Sequence, residues 1–465
     1  MRILIFHGYL LAGTGSNVYN ARLAAALVKL GHEVHLLSQD RHPERQPFVD
    51  ELGDWDRGAL RMRTLRAPIS SRAGRCTVYR PNIGALLPVY VADRYEGIEA
   101  RTFAQCSEEE LARYLDANVA AVAELLARVG PQVALANHLV MGPVILARAL
   151  AGEVPYAVKV HGSALEYTVK PEPERFLKYA REGVAGARAI LVGSHHTAAS
   201  MWEALEDPRL LERTRLGPPG VDVERFSPLH GEEGDGRAGE GQAHRGDRRA
   251  GVARLRSLAS ALRAGAAVKD GADSAFARDG VAAAQALESL RPDDRLVAFV
   301  GKLIVSKGVD LLLAAWPLVL QQVPRARLVV VGFGAYRPGL ERLLDAFAAG
   351  ELDRAREVAL RGRALESPSC APRPLAHLLA FLASGAAASE EYLRAAATLP
   401  DRVTWCGRLD HAELAEILPA CEAQVVPSTF PEAFGMVAAE AAACGVLPVS
   451  AAHSGLAEVT RTLGA

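Results

Sequence analysis

Two carboxylates eight positions apart, Glu432 and Glu440, frame the densest chemistry in the chain, Pro427-Ser428-Thr429-Phe430-Pro431-Glu432-Ala433-Phe434-Gly435-Met436 followed by Glu440-Ala441-Ala442-Ala443-Cys444-Gly445. The turn between them enters a helix. A helix start presents unpaired backbone N–H groups and the positive end of the dipole. Such donors, with a carboxylate on either side, suit a polyhydroxylated ligand attached to phosphate. A second cluster, Gly301-Lys302-Leu303-Ile304-Val305-Ser306-Lys307-Gly308, places two lysines five positions apart across a turn. Both would reach one diphosphate as point charges. Most lysines are merely solvated. These two follow a strand, at the end where α/β sheets bind ligands, which favours the functional reading.

The N-terminal half has two weaker candidates. Gly13-Thr14-Gly15-Ser16-Asn17 follows a strand and opens a helix, so its backbone would come close to an anion. As a dinucleotide fingerprint it is poor, since Gly13-x-Gly15-x-x-Val18 lacks the third small residue and seven residues separate Phe6 from Gly13, Gly13 included. His161, in Lys159-Val160-His161-Gly162-Ser163, also follows a strand and reads equally as a structural residue or a ligand contact. His195 and His196 are taken as structural. Seven arginines (57, 61, 63, 66, 72, 75, 80) and no acid lie between Arg57 and Arg80. They read first as a solvated loop, and second as a site for a phosphorylated acceptor or an anionic membrane surface.

The elements that must position these groups are short continuous apolar runs alternating with helical patterns, as buried parallel strands and their crossovers require. The first set runs Ile3–Phe6, a helix over Asn17–Leu30, Glu33–Leu37, Val133–Ala136, Tyr156–Val160 and Ala189–Val192. The second runs Leu296–Val300, a helix over Val309–Val319, Arg327–Val331, Arg402–Trp405, a helix over Ala412–Ala420, Ala423–Val426, a helix over Phe434–Ala443 and Leu447–Ser450. Each set predicts a doubly wound α/β domain. Between them, residues 229–293 are rich in Gly, Glu, Asp and Arg and then in Ala, a composition that predicts a partly disordered insertion. A helical insertion is expected at about residues 353–399.

With 465 residues, half of them apolar, and a formal charge of -1, the chain has room for two or three cored domains and no global field for nucleic acid. No apolar run approaches a membrane span, and the N-terminus reads as a first strand rather than a signal peptide. Six scattered cysteines without a C-x-x-C pair argue against a zinc site and for a reducing cytosol.

In their order and spacing, these motifs resemble the retaining glycosyltransferases of family 4, of the GT-B fold. Gly13-Thr14-Gly15, Gly220-Val221-Asp222-Val223-Glu224-Arg225-Phe226-Ser227-Pro228, Gly301-Lys302…Lys307-Gly308, Val331-Gly332-Phe333-Gly334, the Glu432-to-Glu440 pair and Ser454-Gly455-Leu456-Ala457-Glu458 carry the resemblance. It covers about residues 1–228, 294–350 and 401–465. It implies two Rossmann-like domains facing across a cleft: an acceptor-side domain over 1–228 and a nucleotide-sugar-binding domain over 294–465, with 229–293 at the hinge. It further implies that Lys302 (where an arginine is usual) and Lys307 hold the donor diphosphate with Gly13 and Gly15, and that Glu440 binds the ribose. Glu432, with the N–H groups of Phe434, Gly435 and Met436, would bind the sugar, and His161 the sugar or acceptor region; Lys307, Glu432 and His161 form the catalytic set. The family needs no cofactor and no divalent metal. The chain ends at Ala465, seven residues after Glu458, where the family continues with further strand and helix, so an incomplete C-terminal domain is expected.

The expected activity is transfer of a hexose from a nucleotide diphosphate sugar to a hydroxyl of a sugar, lipid or small molecule, with retention at the anomeric carbon. The setting would be bacterial and cytoplasmic, with weak peripheral contact to the inner membrane face through residues 57–80. Two alternatives stay open: a GT-B nucleotide-sugar epimerase, and a truncated, non-catalytic nucleotide-sugar-binding protein.

Overall fold

The computed structural model describes residues 1–66, 74–91, 98–229, 240–265, 278–366 and 371–464. They fall into two units, one up to Pro219 and one from Gly220 onward. The expected boundary at residue 228 therefore moves back, and Gly220–Pro228 belongs to the second unit. There Phe226 is buried and meets the His411 ring edge-on at 5.3 Å.

The strands of the first unit are β1 (Arg2–Phe6), β2 (Glu33–Leu37), β3 (Glu51–Asp56), β4 (Ala59–Thr64), β5 (Arg75–Arg80), β6 (Leu86–Val89), β7 (Glu99–Thr102), β8 (Val133–Asn137), β9 (Tyr156–Val160), β10 (Ala189–Val192) and β11 (Thr214–Leu216). Nine of them form one sheet in the order β11-β10-β9-β8-β1-β2-β5-β3-β4, with β6 and β7 paired separately. Only β4 runs antiparallel in the large sheet. Helices α1 (Gly15–Lys29), α2 (Glu108–Val129), α3 (Gly142–Leu150), α4 (Pro173–Ala185), α5 (His195–Leu205) and α6 (Arg209–Arg213) supply the crossovers. Helices on both faces of the sheet enclose Leu4, Ile5 and Phe6 of β1 and Ala134 and Ala136 of β8.

Residues 57–66 and 74–80 differ from the solvated loop expected of residues 57–80. Arg57 and Gly58 both have positive φ (50° and 79°), the geometry of a two-residue hairpin turn, and they join β3 to β4. The buried strand β5 follows, with Cys76 and Val78 wholly enclosed. The arginines stand at the two ends of β5, and the four residues between them, Cys76, Thr77, Val78 and Tyr79, are all buried. Arg61 pairs with Asp56 at 3.0 Å, Arg75 with Glu33 at 2.7 Å and Arg80 with Asp54 at 2.6 Å, while Arg66 donates to the carbonyls of Glu44, Gln46 and Val49. Arg72 lies outside the described residues.

The second unit opens with α7 (Glu240–Gly265) and α8 (Gly280–Glu288). Its sheet is wholly parallel, in the order β14-β13-β12-β15-β16, from β12 (Arg295–Val300), β13 (Ala326–Val331), β14 (Val403–Gly407), β15 (Ala423–Val426) and β16 (Leu447–Ser450). Helices α9 (Val309–Gln322), α10 (Arg337–Ala349), α11 (Leu352–Arg361), α12 (Ala376–Ala383), α13 (Glu390–Ala396), α14 (Leu399–Arg402), α15 (His411–Ile417), α16 (Met436–Ala443) and α17 (Ser454–Leu463) complete it.

Within residues 229–293 the described residues hold two helices, α7 and α8, more regular than a weakly helical, Ala-rich composition suggests. Leu255, Ala259 and Leu262 recur at four- and three-residue intervals, and with Ala283, Ala284 and Leu287 of α8 they pack on Leu296, Ala298, Val329 and Cys406. The composition registered the charged face and not this apolar stripe. Each buried leucine contributes about 2 kcal/mol before the entropy of ordering is subtracted. Helices α11 to α13 likewise share a core with α9 and α10, and Tyr392 donates to the carbonyl of Ala314 at 2.9 Å. Among the described residues no helix is long and apolar enough to cross a membrane.

Candidate active site

In the second unit the strand order reverses beside β12. The chain leaves it for β13 and β14 on one side and returns to β15 and β16 on the other. Doubly wound sheets bind ligands at such a switch point, outside the carboxyl ends of the strands. The loops after β12 and β15 meet there. The first makes a 3₁₀ turn, Val305–Lys307, and enters α9 through Gly308 at φ 67°. A Cβ at 308 would run into the carbonyl oxygen of Pro427, so glycine is what lets the two loops touch. Thr429 N–H then donates to the carbonyl of Ser306 at 3.0 Å.

This contact brings Lys307 and Glu432 together as an ion pair between Nζ and Oε1. Both side chains are about three-quarters withdrawn from solvent, at 29% and 22% exposure, which strengthens their attraction relative to a fully solvated pair. Ser428 Oγ donates to the same Oε1 at 2.7 Å. Behind it, Glu432 N–H donates to Ser454 Oγ at 2.9 Å, and His453 donates from Nε2 to the Ser428 carbonyl at 2.7 Å. Ser428, His453 and Ser454 were not singled out from sequence, although Ser454 lies in one of the family-like motifs. Their spacing to Glu432 is visible only once β15 and β16 are paired.

Lys302 sits with its ammonium 5.9 Å from the ring centre of Phe333. Phe434 and Gly435 precede α16, which starts at Met436, two residues later than expected. Gly435 caps it at φ 109°, and a Cβ there would fall 2.5 Å from Leu456. Glu440 is buried on α16, with His411 Nε2 3.1 Å from its Oε1. The two glutamates thus stand apart: Glu432 answers to a lysine and Glu440 to a histidine.

The first unit has its own switch point, between β1 and β8. The loop after β1 carries Gly13, at φ 93°, while Gly15 is the first residue of α1. His7 braces that loop. Its Nε2–H is shared between the Leu10 carbonyl (2.9 Å) and Asn17 Oδ1 (3.1 Å), and its Nδ1 accepts from Asn20 at 3.1 Å. Asn17 in turn donates to the Ala12 carbonyl at 2.7 Å. Burial pushes the His7 ring down to about 4, so it is neutral at physiological pH.

His161 follows β9. Asn137, at the end of β8, donates its amide to the Phe6 carbonyl at 3.2 Å, which turns Oδ1 toward His161 Nε2 at 2.8 Å. The proton of the His161 ring therefore lies on Nε2, and Nδ1 is its acceptor face. Burial holds this ring well below its ordinary range, helped by Lys159 and His7. His138 lies between them, at φ 67°, its ring 4.8 Å from that of His161 and 4.4 Å from that of Tyr90. Its buried Nε2 has no hydrogen-bond partner. His138 carries the signal that drew attention to His161, a histidine one step past a strand, and the sequence reading passed over it. His195 and His196 begin α5 behind a Ser194 cap. Among the described residues no group of three or more His, Cys, Asp or Glu is placed to hold a metal ion.

Comparison with known proteins agrees with this geometry. Residues 14–212 match the family described as Glycosyl transferase 4-like domain, and residues 294–371 and 380–463 match two described as Glycosyl transferases group 1. A D-inositol 3-phosphate glycosyltransferase of Segniliparus rotundus is 32% identical over 193 residues, 41% of this chain and 32% of that protein. Its counterpart in Mycobacteroides abscessus is 30% identical over 175 residues, 38% of this chain and 28% of that protein. The match thus spans about a third of the length of these curated relatives. The sucrose-phosphate synthase of Thermosynechococcus elongatus superposes with a TM-score of 0.52 at 20% identity, over 98% of this chain and 82% of that one. The fold is GT-B.

Proposed function

We propose that this chain, assembled from glycosyltransferase domains on a GT-B fold, moves a hexose from a nucleotide diphosphate sugar to an acceptor hydroxyl with retention of anomeric configuration. One observation carries the reading: the loops after β12 and β15 close at a switch point around Lys307 and Glu432. In this reading Lys307 exchanges its carboxylate partner for the donor diphosphate, with Lys302 beside it, and both stabilise the charge that develops on the leaving group. Glu432, held by Ser428 and Ser454, receives sugar hydroxyls, and the N–H groups at Phe434, Gly435 and Met436 hold the far side of the sugar. Glu440 takes the ribose. Gly13 and Gly15 let the first unit's loop approach the diphosphate, and His161 offers a neutral acceptor nitrogen to sugar or acceptor.

The bond from the anomeric carbon to phosphate oxygen breaks as the bond to the acceptor oxygen forms on the same face. The acceptor's proton passes to the departing phosphate. Glu432 is no covalent nucleophile in this scheme. The lysines supply the positive charge, so no divalent metal and no cofactor takes part. We place the activity in the cytoplasm; the five described cysteines are buried free thiols. The relatives named for D-inositol 3-phosphate make a phosphorylated polyol the first acceptor to test.

The test is to incubate the chain with UDP-, GDP- and ADP-hexoses and a panel of acceptors, with and without EDTA, and read the product's anomeric centre by NMR. Retention with undiminished rate in EDTA is expected. An inverted product, a chelator-sensitive rate, or free epimerised donor without acceptor would overturn the assignment.

A further inference from the structure

The turn that carries Lys307 is fastened from three directions. Leu303 N–H donates to the Phe333 carbonyl at 2.7 Å, and Tyr336 N–H returns a bond to the Leu303 carbonyl at 3.1 Å. On the other side the Ser306 carbonyl accepts from Thr429 N–H. These are backbone bonds between loops that any doubly wound sheet brings together. The third fastening is different. Val305 N–H, at the start of the turn, donates to Glu366 Oε1 at 2.6 Å. Glu366 belongs to the helical segment from α11 to α14, which departs between β13 and β14 and is not needed to build the sheet.

The position is a costly one for a carboxylate. Glu366 is largely buried, at 16% exposure, and its nearest cation, Arg363, stands 3.7 Å away. Asp310, in the first turn of α9, is more deeply buried, and its Oδ1 has no hydrogen-bond partner. The Tyr336 hydroxyl beside them is also without one. Burial raises both carboxyl groups, Asp310 to about 6, with the Glu366 charge adding to the rise. Two enclosed acids behind a lysine turn weaken the fold locally, and strain of this kind is retained where geometry has to be held.

We propose that Glu366 is a positioning residue for donor transfer: through Val305 it sets the turn from which Lys307 meets the diphosphate, and so couples the helical segment 352–402 to the donor site. The inference rests on the donor reading above. The turn's own bonds run from Lys307 N–H to Ile304 and from Gly308 N–H to Val305, while Val305 N–H is met by the Glu366 side chain. Losing that acceptor frees the turn to shift, and a displacement of about 1 Å at a charge-stabilising group costs up to about a hundredfold in rate.

The test compares wild type, E366A, E366Q and E366D. Amide exchange at Val305 is followed by NMR or overlapping peptides, with calorimetry against UDP, GDP and ADP and transfer kinetics on the same samples. E366A should speed exchange at Val305 and lower kcat, each by about tenfold or more, with the thermal midpoint nearly unchanged. E366Q keeps an acceptor oxygen in place and should restore most of both, and E366D, one methylene short, should not. If E366A fails to fold, the contrast of E366Q with E366D decides. Unchanged exchange at Val305, or a rate that falls only with the folded fraction and is no better in E366Q, overturns the inference alone. Wild-type protein that binds none of the three nucleoside diphosphates overturns the donor reading and the inference together.

Discussion

The two switch points solve one positional problem with opposite electrostatics. In the first unit the candidate side chains, His7, Asn137, His138 and His161, sit on or one step past the ends of β1, β8 and β9, the first three buried and His161 partly so. At that depth a charge is expensive, and the rings are neutral. In the second unit the side chains ride on loops several residues beyond the strands, and there Lys307 and Glu432 remain an ion pair. Depth behind the strand end therefore selects the chemistry. The shallow site suits a charged ligand, and the deep one suits hydroxyls that exchange neutral hydrogen bonds.

Removing the lysine tests this contrast most sharply. K307A takes away the charge that would meet the leaving phosphate and leaves Glu432 half-buried without its cation. Transfer should fall by about a thousandfold, the scale for losing one preorganised charge-stabilising donor, while circular dichroism stays that of the folded protein. E432Q should fall less in donor affinity than in kcat, since it leaves Lys307 with a neutral neighbour. A K307A variant that keeps even a tenth of the wild-type rate would end the charged-site reading.

The contrast also predicts opposite pH slopes within one chain. His7 and His35 are held neutral by burial down to about 4. Their contribution to the first unit is complete above about 6.5 and drains away as pH falls toward 4. Asp310 runs the other way: burial keeps it protonated up to about 6, so its contribution is complete below about 4 and is lost as pH rises through 6. Amide protection, corrected for intrinsic exchange, should fall in β1 and β2 on going from pH 7 to 5 and rise in α9. D310N should stabilise α9 at pH 7.5 by up to about 3 kcal/mol and change little at pH 4. Parallel slopes in the two units would show that burial depth is not what separates them.

How far each region could be read beforehand follows the same division. The core strands of both sheets are legible as short apolar runs, and Lys307 and Glu432 as charges at fixed distances from strand ends. Their meeting is not legible, because it depends on β15 returning to the side of β12 away from β13. Strand β5 is hidden by the arginines at its two ends, Arg75 and Arg80, which dominate the charge of the stretch while Cys76, Thr77, Val78 and Tyr79 between them are buried. Helix α7 is hidden by its charged face, and Leu255, Ala259 and Leu262 count for little in a composition but form a stripe once their spacing is followed. Glu366 had no sequence signal. A lone glutamate in a helical insertion gains meaning only from the amide it accepts.

The neutral site should respond more gently than the charged one. H161A removes an uncharged hydrogen-bonding ring and leaves Asn137 Oδ1 without its donor. A loss of about tenfold in kcat/KM is expected, the scale of one neutral hydrogen bond. N137A, which frees the His161 ring to turn, should give a similar loss. A thousandfold loss in H161A would instead assign that ring a proton-transfer role.

The smallest effect belongs to the arginine-rich stretch, where most of the described arginines are already paired. Arg61, Arg75 and Arg80 face carboxylates of their own chain, and Arg66 is enclosed by three carbonyls. A basic residue near an anionic bilayer is worth about 1 kcal/mol, so two arginines acting in full would change vesicle binding by about thirtyfold. Arg57 and Arg63 are exposed on the hairpin of β3 and β4 and are the ones to change. R57S/R63S protein should sediment with phosphatidylserine vesicles within about twofold of wild type, because the charge nearest to them is already balanced within the sheet. A fall approaching thirtyfold would make the hairpin a membrane contact, and would show that pairing within the sheet does not neutralise the face it presents.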